Sequence, residues 1–348
     1  MPVSSPLHQQ APQKLSQEEL NQRLAEQLQQ SCIQDRSVAL IGYGNQGRPQ
    51  AQNLKDSGVS VCVGVRHMDS ASAQCAKADG LAIVPISLAV EQNDILMLLL
   101  PDEAIGPFYE THLSGLEDVL AEKFIGLAHG LSLQAGWMQP KPHHNVFLVS
   151  PKAQGRGVRE KYLQGGGVPC LVAVHQDPSQ KTWSVALAYA IALGCHHTGV
   201  YSTTIREETE CDLFSEQTVL CGGLTALIRT AFETLTEAGY SPEVAAFECL
   251  YEVKLLADLL HERGITGMRE AISPAARFGD VTRGPRLIDE RVRQNMRQIL
   301  AEIQSGQFAR ELKTDAENGY PTLHQAVANG ASHPLEKTYG ALLAQWSP

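Results

Sequence analysis

Two pairs of carboxylates in the second half of the chain have the same spacing. Asp212 and Glu216 lie four residues apart, and so do Glu248 and Glu252. On an α-helix each pair shares one face among largely apolar neighbours, where like charges are costly unless a cation neutralises them. Four carboxylates without a His or Cys ligand pattern suit a hard cation such as Mg²⁺, and two ions could share the four groups. The alternative is that these acids lie on solvated helix faces.

A complete GxGxxG motif stands between an apolar run and a helix-compatible segment. Gly42 permits the tight turn, Gly44 lets the backbone approach a pyrophosphate, and Gly47 allows the helix to pack closely on the strand. The amide groups at the start of that helix face the phosphates. In this strand–turn–helix context the motif predicts a dinucleotide site, against the alternative of a merely structural turn.

The residues after the second apolar run bear on the choice of dinucleotide. Arg66 is suited to a 2′-phosphate, and Ser70 and Ser72 add hydroxyl groups. Asp69 is the contrary signal, because a carboxylate there would repel a phosphate and favour the ribose hydroxyl of NADH. One cation and two hydroxyls outweigh one acid, so NADPH is the expected cofactor and NADH the alternative.

Three further candidates each follow a short apolar run, where an α/β sheet places functional groups. His129 is either a catalytic residue or a hydrogen-bonded structural one. Lys152 is either an exposed lysine or a cation that neutralises an anionic substrate or polarises an oxygen. Asp102 belongs either to a loop that lines the nicotinamide side or to a simple turn.

The elements that must position these residues are visible as a change of pattern along the chain. Between residues 37 and 203, continuous apolar runs alternate with helix-length segments, which indicates a parallel sheet covered by helices on both faces. From residue 204, long amphipathic patterns replace the apolar runs. The sequence therefore predicts an α/β fold: a Rossmann-type dinucleotide-binding domain at 37–203 and an all-α domain at 204–348. Residues 1–36 are interpreted as an N-terminal extension, a flexible tail with one surface helix.

Composition limits the expected partners and location. The chain of 348 residues has 28 Lys+Arg and 38 Asp+Glu, a formal net charge of −10, which makes nucleic acid a poor partner. No stretch approaches the ~18 apolar residues of a membrane span, and no signal peptide is evident. The eight cysteines form no CxxC pair, so no disulfide framework is visible. We therefore expect a cytoplasmic protein without a membrane partner.

Taken together, these segments resemble ketol-acid reductoisomerase, also called acetohydroxyacid isomeroreductase, of the short-chain class. The resemblance covers roughly residues 37 to 310. Its most specific parts are the DLFSEQ and FECLYE segments around the two carboxylate pairs. Other matching segments are IGYGNQG, LLLPDE, AHG, PKAQG and IQSGQFAR.

The resemblance implies a two-step reaction on a small 2-hydroxy-3-keto acid. Mg²⁺ promotes an alkyl migration in 2-acetolactate or 2-aceto-2-hydroxybutyrate, and NADPH then reduces the resulting 2-keto acid to a 2,3-dihydroxy acid in valine and isoleucine biosynthesis. The residues that match the metal ligands are Asp212, Glu216, Glu248 and Glu252. Those that match catalytic or substrate-contacting positions are His129, Lys152 and Ser273, with Glu252 or a metal-bound water as the proton acceptor. The matched cofactor contacts are Tyr43, Gly44, Asn45, Gln46, Arg66, Ser70, Ser72, Asp102 and Gly155.

The resemblance further implies a knotted helical domain and a homodimer or higher homo-oligomer with a shared active site. Glu248, Glu252 and Ser273 are then expected to come from the neighbouring chain. One departure from the family pattern lies beside the glycine-rich turn, where Arg48 and Pro49 replace the usual His-Ala.

Two other functions remain open on the sequence. An NADP-dependent 2-keto or 3-hydroxy acid reductase of the same two-domain plan would lack isomerase activity and work without added metal, so a chelator separates it from the reductoisomerase. A nucleotide-sensing oligomer without turnover is the third reading, and the presence of all four carboxylates and of Lys152 argues against it.

Overall fold

The apolar runs of the first half form the strands of one sheet. These strands are β1 (Ser37–Ile41), β2 (Ser60–Val65), β3 (Ala82–Pro85), β4 (Ile95–Leu98), β5 (Phe124–Leu127), β6 (Asn145–Pro151), β7 (Cys170–Gln176) and β8 (Val200–Ser202). They pair in the order β3-β2-β1-β4-β5-β6-β7-β8. This computed structural model describes residues 14–30, 33–116, 120 and 122–346. The chain divides into two compact units, residues 1–209 and residues 210–348.

Helices of the first unit cover both faces of the sheet, as predicted. They are α1 (Gln17–Gln30), α2 (Gly47–Asp56), α3 (Ala71–Ala78), α4 (Ile86–Gln92), α5 (Asp102–His112), α6 (Leu131–Gln134), α7 (Gly155–Leu163) and α8 (Thr182–Ala192). One apolar cluster contains residues of α1, α2, α7 and α8, and the other contains residues of α4 and α5. Strands β4 and β5 are buried at every position, which explains why they are continuous apolar runs rather than alternating ones.

One strand runs against the direction of its neighbour. The sequence predicts a parallel sheet, and all other strand pairs are parallel, but β6 and β7 pair antiparallel with Pro151 opposite Cys170. An apolar run marks a buried strand without marking its direction, so the reversal has no signal in the hydrophobic pattern. The connection from Lys152 to Pro169 therefore begins and ends at the same end of the β6–β7 pair. There the Lys152 amide donates to the Pro169 carbonyl at 2.8 Å.

Helix α1 belongs to the first unit. Leu20 is completely buried and lies in the same apolar cluster as α2 and α8. Ser16 caps the helix through a mutual pair of contacts with Glu19, which is the capping-box arrangement. The tail expected before it, residues 1–13, lies outside the described residues.

Beyond Ser202 the described residues form helices and no strand, as predicted. These helices are α9 (Ile205–Ser215), α10 (Gly222–Glu237), α11 (Pro242–Ala246), α12 (Glu252–Ala271), α13 (Pro274–Leu287), α14 (Glu290–Gln304), α15 (Gln307–Glu317), α16 (Pro321–Ser332) and α17 (Pro334–Trp346). Helix α9 crosses the division between the two units. In the second unit a small core forms around Phe232 and Leu335. Within the described ranges, no helix combines the length and apolar character needed to cross a bilayer.

Two segments of the second unit are wound as π-helix. They are Glu216–Leu220, directly after α9, and Phe247–Tyr251, between α11 and α12. Each one adjoins a predicted carboxylate pair, because Glu216 opens the first segment and Glu248 lies in the second. π-Helical turns are uncommon and are frequently found at functional sites.

Candidate active site

The glycine-rich turn follows β1 in the geometry that a dinucleotide site requires. Gly42 has a φ of +106°, in the left-handed region, and a Cβ there would lie 2.3 Å from the backbone oxygen of Leu99. A Cβ added at Gly44 would meet nothing within 4 Å. The backbone is thus held tightly on the sheet side and open at Gly44, which fits a pyrophosphate lying against the start of α2.

The segment after β6 packs directly on this turn. The Gln46 side-chain amide donates to the carbonyl of Ala153 at 3.0 Å, and the Gly155 amide donates to Asn45 Oδ1 at 3.2 Å. A Cβ on Gly155 would lie 1.7 Å from the backbone oxygen of Asn45, so only glycine fits here. The structure therefore brings together Asn45, Gln46 and Gly155, three of the residues predicted to contact the cofactor.

Tyr43 is buried rather than open to a ligand. Its hydroxyl donates to Asp79 Oδ2 at 2.7 Å, at the end of α3. Burial raises the pKa of Tyr43, and the neighbouring Asp79 carboxylate raises it further, so the hydroxyl stays protonated. The Tyr43 side chain is therefore engaged with Asp79, and the predicted contact with the cofactor would use the Tyr43 backbone.

The residues predicted to choose between NADPH and NADH lie around the start of α3. Three of them have exposed side chains that are accessible to a ligand or to solvent: Arg66, Asp69 and Ser72. Ser70 is the N-cap of α3, and its hydroxyl oxygen accepts the Ala73 amide at 3.3 Å. Asp102 begins α5 and is half-buried. Their roles stay predictions.

At the ends of β5 and β6, a buried carboxylate gathers four groups. Glu208 in α9 is 1% exposed, and its Oε2 accepts the Gly130 amide at 3.0 Å. Its Oε1 accepts the Ser150 hydroxyl at 2.9 Å and the Lys152 ammonium at 3.1 Å. His129 Nδ1 lies 3.4 Å from the same oxygen. A carboxylate only accepts, so this last contact requires the imidazole proton on Nδ1.

Glu208 is a fixed negative charge. Burial raises the pKa of Glu208, but the contacts with His129 and Lys152 outweigh it and lower the pKa to about 2. The group is therefore ionised at neutral pH and cannot serve as a general acid there. Its chemical effect is to hold the ammonium of Lys152 and the ring of His129 in place at two strand ends, ready to face an anionic ligand.

A metal could be held one helical turn further along α9. Asp212 follows Glu208 by four residues on α9, so the two carboxylates lie on the same face of one helix. Asp212 is half-buried, whereas Glu216, Glu248 and Glu252 are exposed. The structure thus places one of the four predicted metal ligands on the helix face that carries Glu208, and the metal-binding roles of all four stay predictions.

Ser273, the predicted substrate-contacting serine, is the N-cap of α13. Its hydroxyl oxygen accepts the Ala276 amide at 3.2 Å. A hydroxyl that accepts one hydrogen bond still carries its own proton, so it remains able to donate to a substrate oxygen.

Glu208 is the functional residue that sequence reasoning missed. It lies in an acid-rich stretch with Glu207 and Glu210, which made it look like one of several solvated acids. The signal that could have found it is its spacing, because Glu208, Asp212 and Glu216 follow one another at intervals of four and share one helix face.

Comparisons with known proteins agree with this geometry. A family model described as acetohydroxy acid isomeroreductase, NADPH-binding domain, matches residues 32–199, and one described as ketol-acid reductoisomerase, C-terminal domain, matches residues 205–346. The solved structure of an NADH-preferring ketol-acid reductoisomerase from an uncultured archean is 38% identical, with a TM-score of 0.87, over 91% of this chain and 96% of that chain.

More distant solved structures share the fold alone. A semialdehyde dehydrogenase NAD-binding protein from Cupriavidus necator is 20% identical, with a TM-score of 0.57, over 78% of this chain and 99% of its own. A pyrroline-5-carboxylate reductase from Coxiella burnetii is 16% identical, with a TM-score of 0.54, over 80% of this chain and 98% of its own. The chain belongs to the ketol-acid reductoisomerase family, and it is a nicotinamide-dependent isomeroreductase of branched-chain amino acid biosynthesis.

Proposed function

We propose that the protein rearranges 2-acetolactate or 2-aceto-2-hydroxybutyrate with two Mg²⁺ ions and reduces the rearranged 2-keto acid with NADPH. The observation that carries this proposal is the buried Glu208 carboxylate, which holds Lys152 and His129 and precedes Asp212 by one turn of α9. Hydride transfer alone needs no cluster of carboxylates, whereas an alkyl migration needs a hydroxyl deprotonated and a carbonyl polarised. The two carboxylates of Glu208 and Asp212 on α9, with the Lys152 ammonium held by Glu208, suit the migration.

The proposed ligands of the two ions are Asp212, Glu216, Glu248 and Glu252. Bound Mg²⁺ supplies Lewis acidity that polarises the substrate carbonyl and favours the deprotonated hydroxyl. Carboxylate oxygens are the ligands that this cation prefers. Glu208 already accepts hydrogen bonds from Gly130, Ser150 and Lys152, so we assign it to positioning those groups rather than to the metal.

The chain's own residues then have separate roles. Lys152 presents a fixed ammonium to a substrate oxygen, and His129 stands beside it with its Nδ1 turned to Glu208. Glu252 is the proposed acceptor of the substrate hydroxyl proton, since its carboxylate is exposed on the first turn of α12. Ser273 donates its hydroxyl proton to the substrate.

NADPH is the proposed dinucleotide, although the 38% identical neighbour is described as NADH-preferring. Exposed Arg66 and Ser72 support NADPH, and Ser70 keeps a hydroxyl proton for a phosphate oxygen because its oxygen only accepts at the start of α3. The test is the ratio of kcat/KM for NADPH to that for NADH. Arg66→Ala should lower this ratio about tenfold or more by removing a charged phosphate contact, whereas Asp69→Asn should not lower it.

We also propose a homodimer or higher homo-oligomer with a shared active site. In the second unit many large apolar side chains are exposed, which is typical of a surface that another protein covers. They include Leu227, Leu255, Leu256, Phe278, Val281, Leu287 and Val327. The proposed substrate is a small molecule, and we propose no nucleic acid or membrane partner. We also propose a cytoplasmic location, with which the seven described cysteines accord because all of them are free thiols.

Mixed oligomers test the shared site. Chains carrying Lys152→Met and chains carrying Glu248→Gln are each expected to be inactive alone. If Glu248 acts in the neighbour's site, a mixed dimer contains one site with both defects and one with neither, so activity returns when the two are co-expressed. Continued inactivity of the mixed oligomers would contradict sharing.

The decisive experiment for the reaction uses the variant Glu248→Gln and measures its turnover and its cofactor binding separately. With 2-acetolactate and Mg²⁺ the variant should be inactive, while its dissociation constant for NADPH should stay within about twofold of wild type, because Glu248 lies outside the glycine-rich turn. Wild type should lose conversion of 2-acetolactate when EDTA removes Mg²⁺. Wild-type turnover of 2-acetolactate by Glu248→Gln, or in EDTA, would refute the metal assignment.

A further inference from the structure

We propose that Arg48 is a positioning residue for the nicotinamide cofactor, which acts by clamping the Asp79 carboxylate between the glycine-rich turn and α3. Arg48 Nε lies 2.7 Å from Asp79 Oδ2, and its terminal nitrogen lies 2.9 Å from Asp79 Oδ1. The pair is therefore bidentate. Tyr43 donates to the same carboxylate at 2.7 Å, so three elements meet at Asp79.

The two ends of this clamp belong to two different parts of the cofactor site. Tyr43 lies inside the GxGxxG turn, and Arg48 is the second residue of α2, whose first amides face the phosphates. Asp79 is the C-cap of α3, and the other end of α3 carries Ser70 and the exposed loop that is suited to the ribose. Helix α3 has only eight residues, about 12 Å of helix, so fixing its last turn fixes its first.

The carboxylate is well placed to transmit this position. Its side chain is 12% exposed, while the Arg48 side chain is 53% exposed and approaches from the solvent side. The paired guanidinium lowers the pKa of Asp79, so the carboxylate that accepts from Tyr43 is ionised at neutral pH. On the same end of α3, Lys55 Nζ donates to the backbone oxygens of Asp79 and Gly80 at 3.2 and 2.8 Å. Helix α2 thus grips the end of α3 at two points.

Arginine has a property here that the family's usual histidine lacks. Its planar guanidinium makes two parallel hydrogen bonds and stays charged at every physiological pH. A histidine at position 48 could make one such bond and would lose its charge near neutral pH. The other titratable groups around Asp79 are Tyr43, Lys55 and Cys75, and an uncharged Gln52 also hydrogen-bonds to it.

The test measures dinucleotide binding without substrate or Mg²⁺, so its outcome is separate from the proposals on metal and substrate. Arg48→Met should raise the dissociation constant of NADPH and of NADH about tenfold, since the charged contact that ties α2 to the end of α3 is lost. kcat at saturating cofactor should change less than about twofold, because Arg48 touches no reacting atom. Arg48→Lys should recover part of the affinity through its single charge.

Arg48→His gives a readout that a merely structural role would not produce. The ratio of its NADH dissociation constant to that of wild type should rise as the pH increases from 6 to 8, because the imidazole loses the charge that pairs with Asp79. NADH is used because it has no 2′-phosphate that titrates in this range. A ratio that does not change with pH would overturn the proposal.

A double-mutant cycle and a matched control complete the experiment. Asp79→Asn should weaken binding as much as Arg48→Met, and the two together should be no worse than either one, because both break the same pair. Lys77→Ala removes an exposed cation from the last turn of the same helix and should leave binding unchanged. Dissociation constants for Arg48→Met within twofold of wild type, or strictly additive effects of the two substitutions, would contradict the clamp.

Discussion

Replacing Glu208 with glutamine tests the physical reading of the candidate site most directly. The substitution keeps the size and shape of a side chain that is 1% exposed, removes its charge and replaces one acceptor oxygen by an NH2 group. Gly130 donates to Oε2, whereas Ser150 and Lys152 donate to Oε1, so the single amide oxygen can replace only one of these two acceptors. The change in stability therefore reports on the loss of one buried negative charge together with one hydrogen-bond acceptor.

The expected magnitude follows from the pKa. A lowering from 4.5 to about 2 in the folded protein, at about 1.36 kcal/mol per unit, corresponds to about 3 kcal/mol of folding stability at pH 7. Breaking one partner of a buried ion pair costs a similar amount, about 3–5 kcal/mol. Natural domains are stable by about 5–15 kcal/mol, so the variant should be weakened but still folded.

The pH dependence has a definite sign. Because the folded pKa of Glu208 is lowered, its contribution is fully present above the unfolded value and is lost as the pH falls through the folded one. Urea unfolding of both proteins at one fixed protein concentration should show a difference of about 3 kcal/mol at pH 7. This difference should shrink to about 1.5 kcal/mol at pH 3.

The neighbouring Glu207 provides the matched control. It pairs with Lys14 at 2.6 Å, but both side chains are about half exposed, at 49% and 46%. Glu207→Gln should therefore lower the free energy of unfolding by less than about 1 kcal/mol. If Glu208→Gln loses no more stability than this control at pH 7, or if its deficit is the same at pH 3 and pH 7, the buried charge does not stabilise the site as argued.

Three further predictions follow from packing. Gly155→Ala should weaken NADPH binding at least about tenfold in a fluorescence titration. The new Cβ would lie 1.7 Å from the Asn45 backbone oxygen and would therefore displace this part of the glycine-rich turn. Leu20→Ala should lower the free energy of unfolding by about 2–5 kcal/mol in urea titrations, since this α1 side chain is completely buried; a loss below 1 kcal/mol would show that α1 does not belong to the core. Phe232→Ala, at 1% exposure in the second unit, should cost about 3–5 kcal/mol, and calorimetry would detect it as a lower Tm.

Much of the fold could be predicted because its strands are buried on both faces. Runs such as Ile95–Leu98 and Phe124–Leu127 are continuous and apolar for that reason, and the turn at Gly42 marks the first strand end. The reversed direction of β7 could not be predicted, because burial depends on neither strand direction nor order. Strand β8 could not be predicted either, because three residues are too few to make a hydrophobic pattern.

The site could be predicted less completely, for reasons that differ between residues. His129 and Lys152 were found because they follow apolar runs, and the structure places both against Glu208. Glu208 itself was missed because its burial depends on partners from two other segments, 129–130 and 150–152, which no local spacing reveals. The N-cap contact of Ser70 is local and could have been predicted from a serine before a helix.

The sheet edge at β8 is covered by the start of α1, and this cover bears on self-association. The Gln17 side-chain amide donates to the Val200 carbonyl at 3.0 Å, and the Leu15 amide donates to Ser202 Oγ at 3.0 Å. An uncovered edge offers unpaired backbone groups to a strand of another molecule. A shortened chain that begins after α1 would expose both that edge and the apolar groove filled by Leu20. The shortened chain should therefore aggregate, and more so at higher protein concentration. Light scattering should detect this aggregation before any loss of helical signal.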